Sequence, residues 1–138
     1  MMGQPIDVPP NLTSFLAFDF GARRTGVAVG NRLLRTATPQ ATIRAESNDT
    51  RLAAAQERVR EWQPHALVVG VPFHPDGASH DNTARARKFA RQLAQRTKLP
   101  VYEVDERYST TEAESAGATD PDAGAACVIL EQFLRSLP

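Results

Sequence analysis

SFLAFDFGARRTGVAVGN, residues Ser14 to Asn31, is the stretch that decides the architecture. Its first part, Ser14 to Phe20, is nearly all apolar and stops at Gly21, the pattern of a strand buried on both faces. Gly21 to Arg24 reads as a tight turn, and Thr25 to Asn31 as a second strand. Leu33 to Ile43 continues as a third, in which Pro39 predicts an edge position or a bulge because proline cannot donate to a ladder. Three strands joined by short turns predict an antiparallel meander.

Beyond the meander the period changes from two to that of a helix. Arg51 to Trp62 carries Leu52, Ala55, Val59 and Trp62 at helical spacing, and Pro64 follows its end. Ala66 to Val71 (ALVVGV) is a continuous apolar run, as in a strand covered on both faces. Asn82 to Arg96 predicts a helix that turns Ala86, Phe89, Ala90 and Leu93 inward. Val101 to Val104 is a fifth strand, and acids follow it. Ser109 and Glu112 form a capping box for a short helix. A last helix places Cys127, Leu130 and Leu134 on one stripe, with Ile129, Phe133 and Leu137 beside it. The expected order is β-β-β-α-β-α-β-α-α, without repeats or a linker. It predicts an α/β fold: a five-stranded mixed sheet, its first three strands an antiparallel meander, its fourth and fifth parallel to the first, with helices on both faces. That is the ribonuclease H-like layout. Residues 1–13, mixing Pro, Gly and polar residues without period, are expected to form a flexible tail, and 14–138 a single domain.

Composition narrows the class. At 138 residues, with 41% hydrophobic and 23% charged residues, the chain suits one globular domain and argues against general disorder. The longest apolar stretch, Ala123 to Leu130, is far short of the ~20 residues that span a bilayer, and the start does not resemble a signal peptide. The expectation is a cytoplasmic protein with no membrane partner. A single cysteine, Cys127, excludes an internal disulfide framework and a Cys-rich zinc site. Net charge is zero, yet the charges are segregated. Between Asp81 and Lys98 lie Arg85, Arg87, Lys88, Arg91, Arg96 and Lys98 against one acid. Between Glu103 and Asp122 lie seven acids against one Arg. A metal site beside a phosphate-binding surface would have this pattern, as would two solvated helix faces.

Three acids stand out. Asp19 lies inside an apolar strand, where an ionised carboxylate is costly unless it is paired or binds a cation; capping the turn at Gly21 is the structural alternative. Asp105 and Glu106 end the fifth strand, where ligands bind in open α/β sheets. Alternation puts the two on opposite sides, so one of them faces a shared site, and spacing alone does not choose between them. Asp122 precedes the last helix, where capping and the helix dipole also favour an acid. Acids from the first strand, the fifth strand and the final helix suit phosphodiester hydrolysis with Mg²⁺ or Mn²⁺, hard cations that take oxygen ligands. Two such ions about 4 Å apart activate water and steady the leaving oxygen.

Other chemistries lack support. His65, His74 and His80 form no HExxH or HxH pattern. Ser109, Thr110 and Thr111 have no nucleophile-elbow setting, and Gly26 and Gly30 make neither a GxGxxG nor a P-loop. Cys127 reads as a buried core thiol.

The motifs together resemble the YqgF (RuvX) family, ribonuclease H-like proteins related to the RuvC Holliday junction resolvases and described as pre-16S rRNA nucleases. The resemblance rests on Phe18-Asp-Phe-Gly21 with Thr25-Gly-Val-Ala-Val-Gly30, on Val68-Val-Gly-Val-Pro72 with Asp76-Gly77, and on Thr83-Ala-Arg-Ala-Arg-Lys-Phe-Ala90. Asp105-Glu-Arg-Tyr-Ser-Thr110 with Glu112-Ala113, and Asp122 to Leu130, complete it. It runs from about Phe15 to Leu134. It implies that the catalytic, metal-holding acids are Asp19, Glu106 and Asp122, favouring Glu106 over Asp105. One departure is the segment Ser115 to Pro121, shorter here than the family pattern.

The expected activity is a metal-dependent nuclease of the two-metal type acting on structured nucleic acid, with RNA at the 5′ end of pre-16S rRNA as the leading substrate. Arg23 and Arg24, with Arg85, Arg87, Lys88 and Arg91, are the expected phosphate contacts, since the planar Arg fork donates two hydrogen bonds to one phosphate. Arg87 and Arg91 share a helix face and Arg85 is offset from them. The alternatives are a resolvase of four-way DNA junctions, which would act as a two-fold dimer, and a non-catalytic ribosome-assembly factor. A monomer or weak homodimer is expected. An actin-like ATPase needs two related domains, and the chain has room for one.

Overall fold

The computed structural model describes residues 8–72, 81–105 and 120–137. In chain order these form β1 (Ser14–Asp19), β2 (Arg24–Asn31), β3 (Thr36–Arg44), α1 (Asn48–Trp62), β4 (Ala66–Val71), α2 (Asp81–Thr97), β5 (Val101–Asp105) and α3 (Pro121–Arg135). The strands make one sheet in the order β3-β2-β1-β4-β5. β1, β2 and β3 pair antiparallel, β4 runs parallel to β1, and β5 parallel to β4. Pro39 lies on β3, an edge strand, as its missing N–H requires.

Strand alternation sorts the core into two layers. Leu16, Phe18, Val27, Leu67, Val69 and Val71 face α1 and α2, where Leu52, Ala55, Phe89 and Leu93 meet them. Phe15, Ala17, Ala28, Ala66 and Val68 face α3, where Ile129, Leu130, Phe133 and Leu134 close the layer. The sheet side of that second layer is rich in small residues, so α3 settles close to the strands. α3 is accordingly apolar nearly all round, with Ala126, Cys127, Val128 and Ile129 all buried. Phe133 stacks edge-on against Phe15 with ring centroids 5.3 Å apart. Burial pushes the Cys127 thiol up to about 11, so it is a core thiol, as expected.

Several boundaries differ from the sequence reading. α1 begins at Asn48, earlier than the apolar period suggests, because the Ser47 side chain caps it by accepting from the Thr50 N–H at 3.1 Å. It ends where Gln63 turns left-handed, one residue before Pro64. Leu52 and Ala55 are buried as expected, but Trp62 is 44% exposed, at the last residue of the helix beside Leu34 and Pro64 in an open groove. Of the tail expected over 1–13, residues 8–12 are tied down. Val8 is buried in the α3 layer, and the Arg32 guanidinium donates to the carbonyls of Val8, Pro9 and Leu12. The short helix expected after Ser109, and His74 and His80, lie outside the described residues. Among the described residues no helix is long and apolar enough to cross a membrane.

Candidate active site

Asp19 is the last residue of β1. In register it stands opposite Gly26 of β2 and beside Gly70 of β4. Cross-strand partners share a face of the sheet, and Asp19 has the parity of Phe15 and Ala17, which puts it on the α3 face. It is therefore flanked on that face by two residues without side chains, at the carboxyl end of the sheet.

Gly26 also positions the second acid. A Cβ at Gly26 would lie 1.9 Å from the Asp122 carbonyl oxygen, so the first turn of α3 rests directly on the Gly26 backbone. Only glycine permits that approach. Asp122, half-buried, is thereby brought to the strand pair that carries Asp19. These two acids, 103 residues apart in sequence, are placed at the same end of one sheet face. Asp105 does not join them. It is paired in register with Val71 and shares the parity of Val101, which packs toward α1 and α2 on the opposite face. Glu106 lies outside the described residues, and among those described no three His, Cys, Asp or Glu side chains gather as a metal set.

The sequence reading offered Asp122 as the helix cap; the structure gives that task to Asp120. The Asp120 carboxylate accepts from the Asp122 N–H at 3.0 Å and from the Thr42 hydroxyl on β3. Asp122, one residue inside the helix after Pro121, is left to face the site. The Thr42 hydrogen bond, helped by the backbone donors at Asp122 and Ala123 and by Arg44, holds the Asp120 carboxyl below the usual carboxylate range, and partial burial opposes this only in part. A depressed folded-state value stabilises the protein above the unfolded pKa near 3.9, and that contribution is lost as pH falls through the folded value. Asp120→Ala is expected to cost about 1 kcal/mol at neutral pH. Asp120→Asn, which still caps, should cost less, and the gap between wild type and Asn should close in thermal melts below about pH 3.9.

Three arginines stand over this end of the sheet. Arg23, Arg24 and Arg44, with Gly21 and Asp122, line an open cleft of about 520 Å³. Arg24 and Arg44 face each other across the β2–β3 ladder, a like-charge pair that is unfavourable without a counter-charge. Asp122 supplies one, with its Oδ2 3.2 Å from Arg24 Nε. Both partners are partly solvated, so the pair adds little stability; its effect is to orient the two groups. Arg44 was not singled out in the sequence, because the register that sets it opposite Arg24 passes through an irregularity between Thr25 and Val27.

The basic helix α2 divides its charges. Arg87 Nε lies 3.3 Å from Glu103 Oε1 on β5 and is tied to the sheet. Arg85 and Lys88 turn instead toward α1, where with Phe20, Asn48 and Arg51 they line a smaller pocket. Arg91 is exposed on the helix surface. Of the two arginines expected to share a face, Arg87 thus carries a partly exposed ion pair to Glu103 and Arg91 is exposed.

A mixed β3-β2-β1-β4-β5 sheet covered on both faces, with carboxylates and arginines gathered at the carboxyl end of its first strand, defines a ribonuclease H-like domain. The chain belongs to the RuvX family: the family profile, described as Holliday junction resolvase, matches residues 13–136. A Polaromonas protein named "Putative pre-16S rRNA nuclease" is 71% identical over 127 residues, covering 92% of this chain and 91% of its own. A protein of the same name from Albidiferax ferrireducens is 68% identical over 133 residues, covering 96% and 85%. Among solved structures, Thermus thermophilus RuvC in complex with Holliday junction substrate superimposes with a TM-score of 0.60 at 16% identity, over 87% of this chain and 93% of that one. At that identity the likeness concerns the fold.

Proposed function

We propose that the chain is a nuclease that hydrolyses phosphodiester bonds in structured nucleic acid, with the 5′ end of pre-16S rRNA as substrate and Mg²⁺ or Mn²⁺ as cofactor. The observation that carries this reading is the placement of Asp19 and Asp122 at one end of the same sheet face, beside the cleft of Arg23, Arg24 and Arg44. The names of the relatives support the substrate.

The donor set fits a hard divalent ion: carboxylate oxygens, with no thiol or imidazole beside them among the described residues. Asp19 and Asp122 would hold it, with Glu106 as the third ligand. The parity of Asp105, on the face away from Asp19, supports Glu106 for that place. When bound, the ion neutralises phosphate charge and lowers the pKa of a water. The chain's own contribution is positional. Arg23, Arg24 and Arg44 draw the phosphodiester into the cleft, and their forks orient its non-bridging oxygens. Arg24, already directed by Asp122, registers the phosphate against the carboxylates. Gly26, by admitting the first turn of α3, sets Asp122 at the strand pair that carries Asp19.

The test is cleavage of end-labelled structured RNA, single-stranded DNA and a four-way DNA junction in Mg²⁺, Mn²⁺ or EDTA. Products that need the metal and come from RNA are expected. Paired nicks in the junction, with a dimer in solution, would transfer the assignment to junction resolution, the activity in the family description. No cleavage of any polymer, with binding intact, would leave an assembly factor without catalysis.

A further inference from the structure

On the opposite face of the sheet from Asp122, a pocket of about 110 Å³ opens between α1 and α2, lined by Phe20, Asn48, Arg51, Arg85 and Lys88. Three cations line it, and its described lining contains no carboxylate. Arg51 is 1% exposed. Its guanidinium sits 4.8 Å over the Phe20 ring and donates to the Ala22 carbonyl at 2.6 Å, the Ala45 carbonyl at 3.3 Å and Asn48 Oδ1 at 3.2 Å. Every one of those acceptors is neutral. Its Nε is buried without a partner. Burial first, then the nearby Arg85 charge, lower its pKa from the ordinary arginine value. A buried cation set beside two more cations is costly unless an anion offsets their charge.

We infer that this pocket is a second phosphate-binding site, which takes a backbone phosphate of the same nucleic acid whose scissile bond lies at Asp19; in that respect it rests on the nuclease reading. Its volume is well below the ~300 Å³ at which sites for drug-sized ligands begin, and it has room for a single phosphate group. Arg51 contributes charge from one helix and Arg85 and Lys88 from another, and every charge in the lining is positive. The location gives the ligand a source. Phe20 directly follows Asp19, so the pocket and the arginine cleft flank the end of β1 from its two sides. A strand laid across that end meets Arg23, Arg24 and Arg44 on one side of the carboxylates and Arg85 and Lys88 on the other.

The experiment measures binding of a stem-loop RNA with a single-stranded 5′ extension by fluorescence anisotropy in EDTA, over a range of salt. R85A/K88A alters two exposed side chains and leaves Arg51, with its ties to Ala22 and Ala45, in place. R96A/K98A removes the same charge from the far end of α2. Each lost phosphate contact lowers the slope of log K against log salt by about 0.7 to 0.9. R85A/K88A is expected to lower that slope by about one contact's worth and to weaken binding about tenfold at low salt, while R96A/K98A changes neither. Equal effects of the two double variants, or none from R85A/K88A, would overturn the site. A parallel series of thermal melts with inorganic phosphate separates the sources: stabilisation lost in R85A/K88A without any change in the RNA slope would mean that the pocket binds free phosphate, and would overturn the substrate role. Wild-type cleavage is scored separately in Mn²⁺. A protein that cleaves but shows no slope change refutes the pocket alone, and one that shows the slope change but does not cleave refutes the nuclease reading alone.

Discussion

Asp19→Asn is expected to lower the cleavage rate about a thousandfold while leaving the fold intact. The carboxylate sits at the end of β1 between Gly26 and Gly70, half-buried at the edge of the core. Removing its charge deletes a ligand for a cation that would stabilise the transition state by several kcal/mol, and each 1.36 kcal/mol is tenfold in rate. Asn has nearly the same shape, and a neutral group at a partly buried strand end is no harder to desolvate than a charged one. The melting temperature should therefore change little. RNA binding in EDTA should also hold or tighten, since a negative charge near the phosphate is gone. Stopped cleavage with retained melting and binding is the signature sought. Undiminished cleavage would remove Asp19 from the mechanism and with it the case for a carboxylate site at this edge.

Gly26→Ala is the second large effect, and it acts through packing. The added Cβ would fall 1.9 Å from the Asp122 carbonyl oxygen and 2.4 Å from its carbon, both backbone atoms that cannot rotate away. α3 must lift at its first turn or β2 must bend. Overpacking of this kind costs about 3 kcal/mol, which for a domain of this size lowers the melting temperature by roughly 10 °C. The same displacement carries Asp122 away from Asp19, and a misplacement of about 1 Å at a reacting centre costs on the order of a hundredfold in rate. Gly26→Ala should thus lose cleavage even at temperatures where circular dichroism shows it folded. A variant that melts and cleaves like wild type would mean that α3 does not hold Asp122 against β2.

The order of elements was legible in the sequence because each leaves a local trace. The unbroken run Ala66 to Val71 marks a strand buried on both faces, Pro39 marks an edge, and Ala86, Phe89, Ala90 and Leu93 mark one side of a helix; the structure has all three. Asp19 stands out in the sequence for a similar reason, since a charge inside an apolar strand is conspicuous wherever the chain later goes. The choice of cap for α3 was not. Asp120 and Asp122 both precede an apolar helix, and Thr42, distant in sequence, favours Asp120 as the cap. Arg51 was read only as the start of a helix, because its burial depends on where the β1–β2 turn and the end of β3 offer carbonyls.

Two kinds of information separate here. Residue type and period by themselves determined the order of the described strands and helices, the mixed sheet and the family resemblance, because these follow from the chemistry of each side chain and its near neighbours. Tertiary structure alone decided that Gly26 is the seat of α3, that Arg44 joins Arg24, that Glu103 draws off Arg87, and that Arg85 and Lys88 surround a buried arginine. Those are relations between segments far apart in the chain, set by strand register and by the close approach of backbones, and no local stretch of sequence encodes a register with a partner it has yet to meet.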